Sequence, residues 1–260
     1  FGSEARMYSL VMLLVTVGYL AVRRLLERPS LGRQAVVALI TGLLLYTHYW
    51  SFYLIAVVGA LLIWQAWRSA DSALVALVAG AITFLPWIPT FLYQSEHTGT
   101  PWGDAIFVPA SFAFGLRDFA GGEHSQAYAL LVVLIMLVIV AVFGRAIDRY
   151  RIELDARTRP GVRVETLTWV GTLLLGGAFA FVTRGTFAGR YASILYPLFV
   201  LVVAYGITVF ADKRIRAVLL AVVVIIGLGS SLRSVADNRT QAAQAANAIR
   251  SGAKPGDVVL

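Results

Sequence analysis

Long apolar runs separated by short polar segments make up most of this chain. A helix that crosses a bilayer needs about 20 mostly apolar residues, and fewer where flanking arginines and aromatic residues anchor it at the interface. Eight runs meet this condition, and the second of them is short for a full span. Only residues 47–50 separate the second run from the third, which predicts a tight helical hairpin. The predicted spans are 7–22, 35–47, 51–67, 72–92, 127–143, 165–183, 191–210 and 217–232.

The composition also indicates a membrane protein. Of the 260 residues, 59% are hydrophobic and 14% are charged, whereas soluble domains have apolar and charged shares near one half and one quarter. The chain contains no cysteine, which excludes disulfides, thiolate metal sites and cysteine nucleophiles. The first apolar run follows Glu4 and Arg6 without a small-residue cleavage site after it, so we expect no signal peptide. Because the chain starts at Phe1 and stops within a predicted strand, we interpret it as a fragment of a longer protein.

The basic residues predict how the chain is oriented. The net charge is +8, and 20 of the 22 basic residues are arginine. Most of them lie in short loops between apolar runs, which indicates membrane topology instead of nucleic-acid binding. Fourteen lie in the loops 23–34, 68–71, 144–164 and 211–216, which we therefore expect to be cytoplasmic. The loops 93–126 and 184–190 and the C-terminal tail then lie on the extracytoplasmic side of the inner (plasma) membrane of the cell.

The sequence also predicts a linker between two spans, a C-terminal segment outside the membrane, and the positions of helix breaks and close helix contacts. We expect residues 145–163 to form a salt-bridged linker on the membrane surface. Residues 1–232 form the predicted membrane domain, and 233–260 begin an extracytoplasmic α/β segment, with a helix over 238–250 and a strand at 257–260. Prolines predict interrupted helices, and a glycine-rich face predicts close helix packing within or between chains. These residues are Pro86, Pro89, Pro197, Gly171, Gly176 and Gly177.

Polar and aromatic side chains collect at the predicted outer ends of the spans. The loop 184–190 carries two arginines and two glycines, a combination that either binds a phosphate or only reaches lipid head groups. Glu4 and Arg6 either orient a substrate as a buried pair or cap the first helix. His48 lies among aromatic residues, where it contacts a ligand, donates a proton or is simply satisfied by water and backbone.

Acidic residues and histidines in the loop 93–126 are candidates for a metal site or a general base. No two of them have the spacing of a helical ligand pair, so we expect no tight metal site. Asp104 or Glu96 is a candidate general base. The residues considered are Glu96, His97, Asp104, Asp118, Glu123 and His124.

An ordered set of short motifs resembles bacterial family 39 membrane glycosyltransferases of the GT-C fold, relatives of protein O-mannosyltransferases and of the lipid A aminoarabinose transferase. The resemblance extends over nearly the whole chain and depends on the order and sidedness of the motifs. The motifs are Ser3-Glu-Ala-Arg-Met-Tyr-Ser-Leu10, Tyr46-Thr-His-Tyr-Trp50, Leu85-Pro-Trp-Ile-Pro89, Tyr93-Gln94, Thr100-Pro-Trp102, Gly189-Arg-Tyr191 and Lys254-Pro-Gly-Asp-Val258.

This resemblance implies an all-α polytopic fold and the transfer, at the extracytoplasmic face, of a mannose-like sugar from a polyprenyl-phosphate carrier to a protein, lipid or glycan acceptor. It implies that the catalytic aspartate lies upstream of this chain, in a loop after an earlier span, so the fragment alone is expected to be inactive. Relatives differ in whether they need a divalent metal. The implied donor phosphate-binding residues are Arg184, Arg190 and Tyr191, and the implied substrate-lining residues are Glu4, Arg6, Tyr8, Tyr46, His48 and Tyr49.

Two other classes of function remain open at this point. A transporter or flippase of a lipid-linked or anionic substrate also needs many spans and outer arginines, although transporters usually place ionisable residues near mid-span. The span interiors of this chain are almost free of charge. A non-catalytic scaffold or donor-binding module is the third hypothesis.

Overall fold

The computed structural model of the chain describes a helical bundle with one small sheet. The described residues are 7–65, 69–97, 107–122, 125–157, 161–183 and 189–236, with Ala246, Asn247, Ile249, Ser251 and Gly252. The helices are α1 (Tyr8–Glu27), α2 (Leu31–Thr47), α3 (Ser51–Trp64), α4 (Ala70–Ile82), α5 (Ile88–His97), α6 (Val108–Phe119), α7 (Ser125–Phe143), α8 (Arg163–Val182), α9 (Tyr196–Thr208) and α10 (Lys213–Ala236). The strands β1 (Gly144–Ala146) and β2 (Ile152–Leu154) form an antiparallel pair that joins α7 to α8.

The lengths of the helices support six membrane spans, whereas the sequence predicted eight. Among the described residues, the segments long and apolar enough to cross a membrane are Tyr8–Glu27, Ala70–Ser95, Ser125–Phe143, Arg163–Val182, Tyr191–Thr208 and Lys213–Arg233. Helices α2 and α3 have 17 and 14 residues. At a rise of about 1.5 Å per residue they are roughly 25 and 21 Å long, shorter than the about 30 Å hydrocarbon core. The chain is therefore a helical membrane protein, and α2 and α3 form the predicted hairpin.

Prolines interrupt two of the predicted spans. Helix α4 ends at Ile82, a 3₁₀ turn follows over Leu85–Trp87, and α5 starts at Ile88. Pro86 lies inside this turn, where its missing N–H donor costs least. Pro197 was expected to bend a continuous helix, but this expectation is wrong. It lies in the first turn of α9, directly after a 3₁₀ segment over Gly189–Leu195, which we call the 189–195 segment.

Two regions predicted as loop or linker contain regular structure. The region 93–126 includes α6, whose first turn holds a proline and which ends before two glycines with positive φ, Gly121 and Gly122. The region 144–164 includes the β1–β2 hairpin, whose turn is fixed by the Asp148 carboxylate accepting the backbone N–H groups of Tyr150 and Arg151. Within the linker Arg151 Nε lies 3.9 Å from Asp148 Oδ2, as expected for an ion-paired segment. Arg149 also pairs with Asp212, which directly precedes α10, at 2.6 Å.

Only part of the predicted C-terminal segment can be compared with the structure. Helix α10 continues to Ala236, beyond the predicted span end at 232. Within the predicted helix 238–250, residues Ala246, Asn247 and Ile249 are helical. The predicted strand at 257–260 lies outside the described residues.

Glycines let helices approach closely inside this chain. A Cβ atom at Gly80 of α4 would lie 2.6 Å from the Cβ of Thr41 in α2, and one at Gly176 of α8 would lie 2.6 Å from the Trp50 ring. A Cβ at Gly171 would lie 3.1 Å from Val57 of α3. The predicted glycine face of α8 therefore packs against the α2–α3 hairpin of the same chain.

The bundle has two ends with different chemistry. We call the end with the β1–β2 hairpin and the 209–212 connection the hairpin end; the Arg149–Asp212 ion pair holds these two parts together. The opposite end, which we call the aromatic end, contains the 48–50 turn, the start of α1 and the 189–195 segment. Ring contacts of His48 with Tyr8 and with Tyr191 join these three parts.

Candidate functional site

Four aromatic side chains from three separate parts of the chain meet at the aromatic end. The ring centroid of His48 lies 5.9 Å from that of Tyr8 and 6.2 Å from that of Tyr191. The Trp50 ring lies 6.3 Å from Tyr191 at an interplanar angle of 34°. We call these four residues the His48 cluster. Tyr8 and His48 are buried, and Tyr191 and Trp50 are half-buried, so the cluster reaches from the bundle interior toward this end.

The α2–α3 turn places His48 in the interior. His48 ends α2 in an extended conformation, and its backbone N–H still donates to the Leu44 carbonyl. The Ser51 hydroxyl donates to the same carbonyl at 2.9 Å, which closes the turn. Because only three residues join two antiparallel helices here, the imidazole has no room to reach the surface and packs between the aromatic rings.

The His48 imidazole is neutral in the folded protein. Its Nδ1 atom accepts the backbone N–H of Trp50 at 3.2 Å, which requires the proton of the neutral ring to lie on Nε2. Burial of the ring lowers the pKa of His48 to about 4. At neutral pH the residue therefore offers an Nε2–H hydrogen-bond donor, and it cannot act there as a charged acid.

Tyr46 and Tyr49 belong to a different aromatic cluster and do not join His48. The Tyr46 hydroxyl donates to the Thr83 carbonyl at 2.7 Å, and the Tyr49 hydroxyl donates to Gln94 Oε1 at 2.5 Å. The Tyr49 ring packs edge-on against Phe91 at 4.8 Å. These two tyrosines therefore connect the α2–α3 hairpin to the α4–α5 break, although the sequence grouped them with His48 as substrate-lining residues.

The structure describes only part of the charged residues that the sequence predicted for this site. Glu4, Arg6 and Arg184 lie outside the described residues. The backbone of Arg190 is described, in the 189–195 segment beside Tyr191, and its side chain is not. The structure thus brings together Tyr8, His48 and Tyr191 from the predicted set, and it places the Arg190 backbone next to them.

Asp118 is the acidic residue that the structure places against the 189–195 segment. A Cβ atom at Gly189 would lie only 2.6 Å from the Asp118 carboxyl carbon and 3.1 Å from the Phe114 carbonyl oxygen, so a larger residue at 189 would displace this carboxylate. Arg117 Nη2 lies 3.6 Å from Asp118 Oδ1, and both side chains are about one quarter exposed, at 24% and 26%. Sequence reasoning considered Asp118 only for a metal site. The sequence feature that could have drawn attention to Asp118 is the Gly121–Gly122 pair, because two glycines end a helix shortly after the Arg117–Asp118 pair.

The other loop residues show no metal-binding arrangement where the structure describes them. His97 stacks on Tyr93 with ring centroids 4.1 Å apart, and its Nδ1 lies 2.8 Å from the Tyr93 carbonyl oxygen. Asp104, Glu123, His124 and the side chain of Glu96 are outside the described part. Within the described part, no three His, Asp or Glu side chains are placed to hold a metal ion.

Comparison with known proteins gives no relative for this chain. No family model, curated protein or solved structure matches it.

Proposed function

We propose that this chain is part of a membrane glycosyltransferase that moves a sugar from a polyprenyl-phosphate carrier to an acceptor. The observation that carries the proposal is the meeting of Tyr8, His48 and Tyr191 beside the Arg190 backbone. These residues are distant in the sequence. The motif resemblance assigned Tyr8 and His48 to the substrate lining, and Tyr191 and Arg190 to the donor phosphate. Aromatic faces and a neutral N–H donor suit a sugar ring, and an arginine at the position next to Tyr191 would suit its phosphate.

The reaction needs positive charge where the carrier phosphate departs. An acceptor hydroxyl attacks the anomeric carbon, the bond to the phosphate oxygen breaks, and a carboxylate takes the hydroxyl proton. Negative charge builds on the leaving oxygen, and Arg190, with Arg184, would stabilise it. Asp118 would act as a positioning residue, because its carboxylate packs on Gly189, the neighbour of Arg190. The proton-accepting aspartate is expected from a segment preceding α1.

A transporter or flippase of a lipid-linked or anionic substrate is the second candidate. Glu165 favours it, since this carboxylate is only 5% exposed although it belongs to a membrane span. Glu165 lies in the first turn of α8, however, and a transport pathway usually places its ionisable groups near the membrane centre. We therefore rank glycosyl transfer first.

Arg190 provides the direct test. In the complete protein, Arg190→Ala should lower turnover of a polyprenyl-phosphate sugar about tenfold to a hundredfold, because one charge-assisted contact to the leaving group is lost. Arg190→Lys should also be impaired, since an ammonium cannot grip two phosphate oxygens as a guanidinium does. Arg214→Ala is the matched control, because Arg214 is exposed near the hairpin end.

Sugar transfer and the thermal midpoint are measured together for each variant. Turnover that falls while the midpoint stays unchanged supports the proposal. Unchanged turnover, or activity lost in proportion to folded protein, would leave Arg190 as an interface anchor. Movement of the labelled lipid across vesicles without any sugar transfer would favour the transporter instead.

A further inference from the structure

A small polar cluster lies near the hairpin end, far from the His48 cluster. The Tyr19 hydroxyl donates to Glu165 Oε1 at 2.5 Å, and Arg23 Nη1 lies 3.9 Å from the same oxygen. Tyr19 and Arg23 are one helical turn apart on α1, and Glu165 comes from α8. The Glu165 side chain is only 6% exposed, whereas the Arg23 side chain is 56% exposed. The cluster therefore joins a buried carboxylate to a guanidinium at the surface.

The two oxygens of the Glu165 carboxylate differ in their hydrogen bonding within the described part of the chain. Glu165 Oε2 is buried and has no hydrogen-bond partner among the described residues. A carboxylate held in an apolar interior is costly unless each oxygen receives a donor. Tyr19 and Arg23 both approach Oε1, so they leave this need unmet. Oε2 is therefore suited to a donor that arrives from outside the protein.

Glu165 also lines an apolar cavity. The cavity has a volume of about 160 Å³ and lies between α1, α2, α3, α4, α8 and the start of α9. Its wall is mostly aliphatic, for example Val22, Leu44 and Leu62, and Arg23 and the exposed Gly161 belong to the same wall. The cavity thus reaches the surface beside Arg23, with the polar cluster at its mouth.

We propose that this cavity binds a phospholipid with a primary ammonium headgroup, of the phosphatidylethanolamine class. Part of an acyl chain would pack against the aliphatic wall, the ammonium would donate to Glu165 Oε2, and the lipid phosphate would pair with the exposed face of Arg23. The charges of the site favour a zwitterionic headgroup, because the Glu165 carboxylate and the Arg23 guanidinium lie side by side and a zwitterion carries the two complementary charges. The headgroup contacts are separate from the proposed sugar-transfer site, because Tyr19, Arg23 and Glu165 do not belong to the His48 cluster and lie near the hairpin end.

The ammonium must carry N–H donors for this recognition to work. Phosphatidylcholine has the same phosphate and the same charge, but its trimethylated nitrogen cannot donate a hydrogen bond. Phosphatidylglycerol has the phosphate without a cation, so Glu165 would repel it. Comparing these three lipids with identical acyl chains separates headgroup recognition from general lipid contact and from attraction to arginine.

The test is native mass spectrometry of the detergent-purified protein with dioleoyl lipids of the three classes. We expect phosphatidylethanolamine to bind about tenfold tighter than phosphatidylcholine, the effect of one charge-assisted hydrogen bond. Glu165→Gln should reduce this ratio to about twofold or less. Glu27→Gln, an exposed carboxylate at the end of α1, should leave the ratio unchanged. Arg23→Gln should weaken binding of all three lipids and preserve their ratio.

Two results would overturn the proposal. Equal binding of phosphatidylethanolamine and phosphatidylcholine to the unaltered protein would mean that only general lipid contact occurs. A preference for phosphatidylethanolamine that persists in Glu165→Gln would place the recognition elsewhere. The first comparison uses no variant, so the proposal stays testable if Glu165→Gln fails to fold.

Discussion

Acidification should destabilise this protein through His48. Burial lowers the pKa of His48 to about 4, against an ordinary value of 6.5 in the unfolded chain. Between these two pH values the unfolded state binds more protons than the folded state, so stability falls as the pH falls. The full contribution of the neutral ring is present above about pH 6.5 and is lost progressively below it.

The magnitude follows from the two pKa values. At about pH 5 the unfolded histidine is almost fully protonated, and the folded one is almost fully neutral. The difference corresponds to about 1.5 pH units, or about 2 kcal/mol at 1.36 kcal/mol per unit. Such a change is a large part of the stability of an ordinary domain. It should appear as a lower midpoint when the purified protein is unfolded at about pH 5 instead of about pH 7.5.

A substitution isolates this contribution from other titrating groups. His48→Asn removes the titration and keeps an oxygen that can accept the Trp50 N–H in place of Nδ1. The variant should lose about 2 kcal/mol less than the wild type on acidification. His97→Asn is the control, because His97 is exposed. This variant should lose as much stability as the wild type when the pH is lowered. Identical pH dependence in the wild type and His48→Asn would refute the reasoning.

Three further predictions concern the packing and the orientation of the chain. Asp212 accepts backbone N–H groups at the start of α10, and the hydrogen bond from its arginine partner holds the pKa of this carboxyl below its usual value. Asp212→Ala should therefore lower the thermal midpoint at neutral pH, and this loss should shrink only as the pH falls below the ordinary carboxyl value of 3.8 toward the lowered pKa of the folded state. An unchanged midpoint at neutral pH would contradict this. Gly80→Ala should lower the free energy of unfolding by about 1–3 kcal/mol, because the added methyl group pushes α4 away from α2. Gly59→Ala has space for a methyl group and should be neutral. Equal thermal midpoints of the two variants would disprove the α2–α4 contact. Single cysteines at Ser125 and Ile147 should react differently with an impermeant thiol reagent in intact cells, and equal labelling would reject the predicted sides.

Several features of the protein follow from the sequence because they depend on short stretches of it. The apolar runs predict where the membrane helices lie, and the 47–50 interruption predicts the α2–α3 hairpin. Prolines at the start of the 3₁₀ turn and of α9 locate breaks in two spans, although Pro197 begins a helix where a bend was expected. Local hydrogen bonding and burial decide these features, so a window of a few residues carries the information.

The sequence also identified part of the candidate site. Tyr8, His48 and Tyr191 were selected because they are polar or aromatic residues at the ends of apolar runs. The same criterion selected Tyr46 and Tyr49, which the structure places against α4 and α5 instead. Position along the chain gives the end of the bundle at which a residue lies. It does not give the direction in which the side chain points.

Only the tertiary structure decided which distant residues meet. Asp118 packs on Gly189, and Tyr19 reaches Glu165 across 146 positions of sequence. In a soluble helix a polar face would reveal the side that is buried, but helices such as α3 and α7 are apolar on nearly every side. Lipid is as apolar as a protein core, so close fit at small residues such as Gly171 and Gly176 selects the contact faces. That fit depends on shape complementarity between two helices, and neither helix's own sequence contains it.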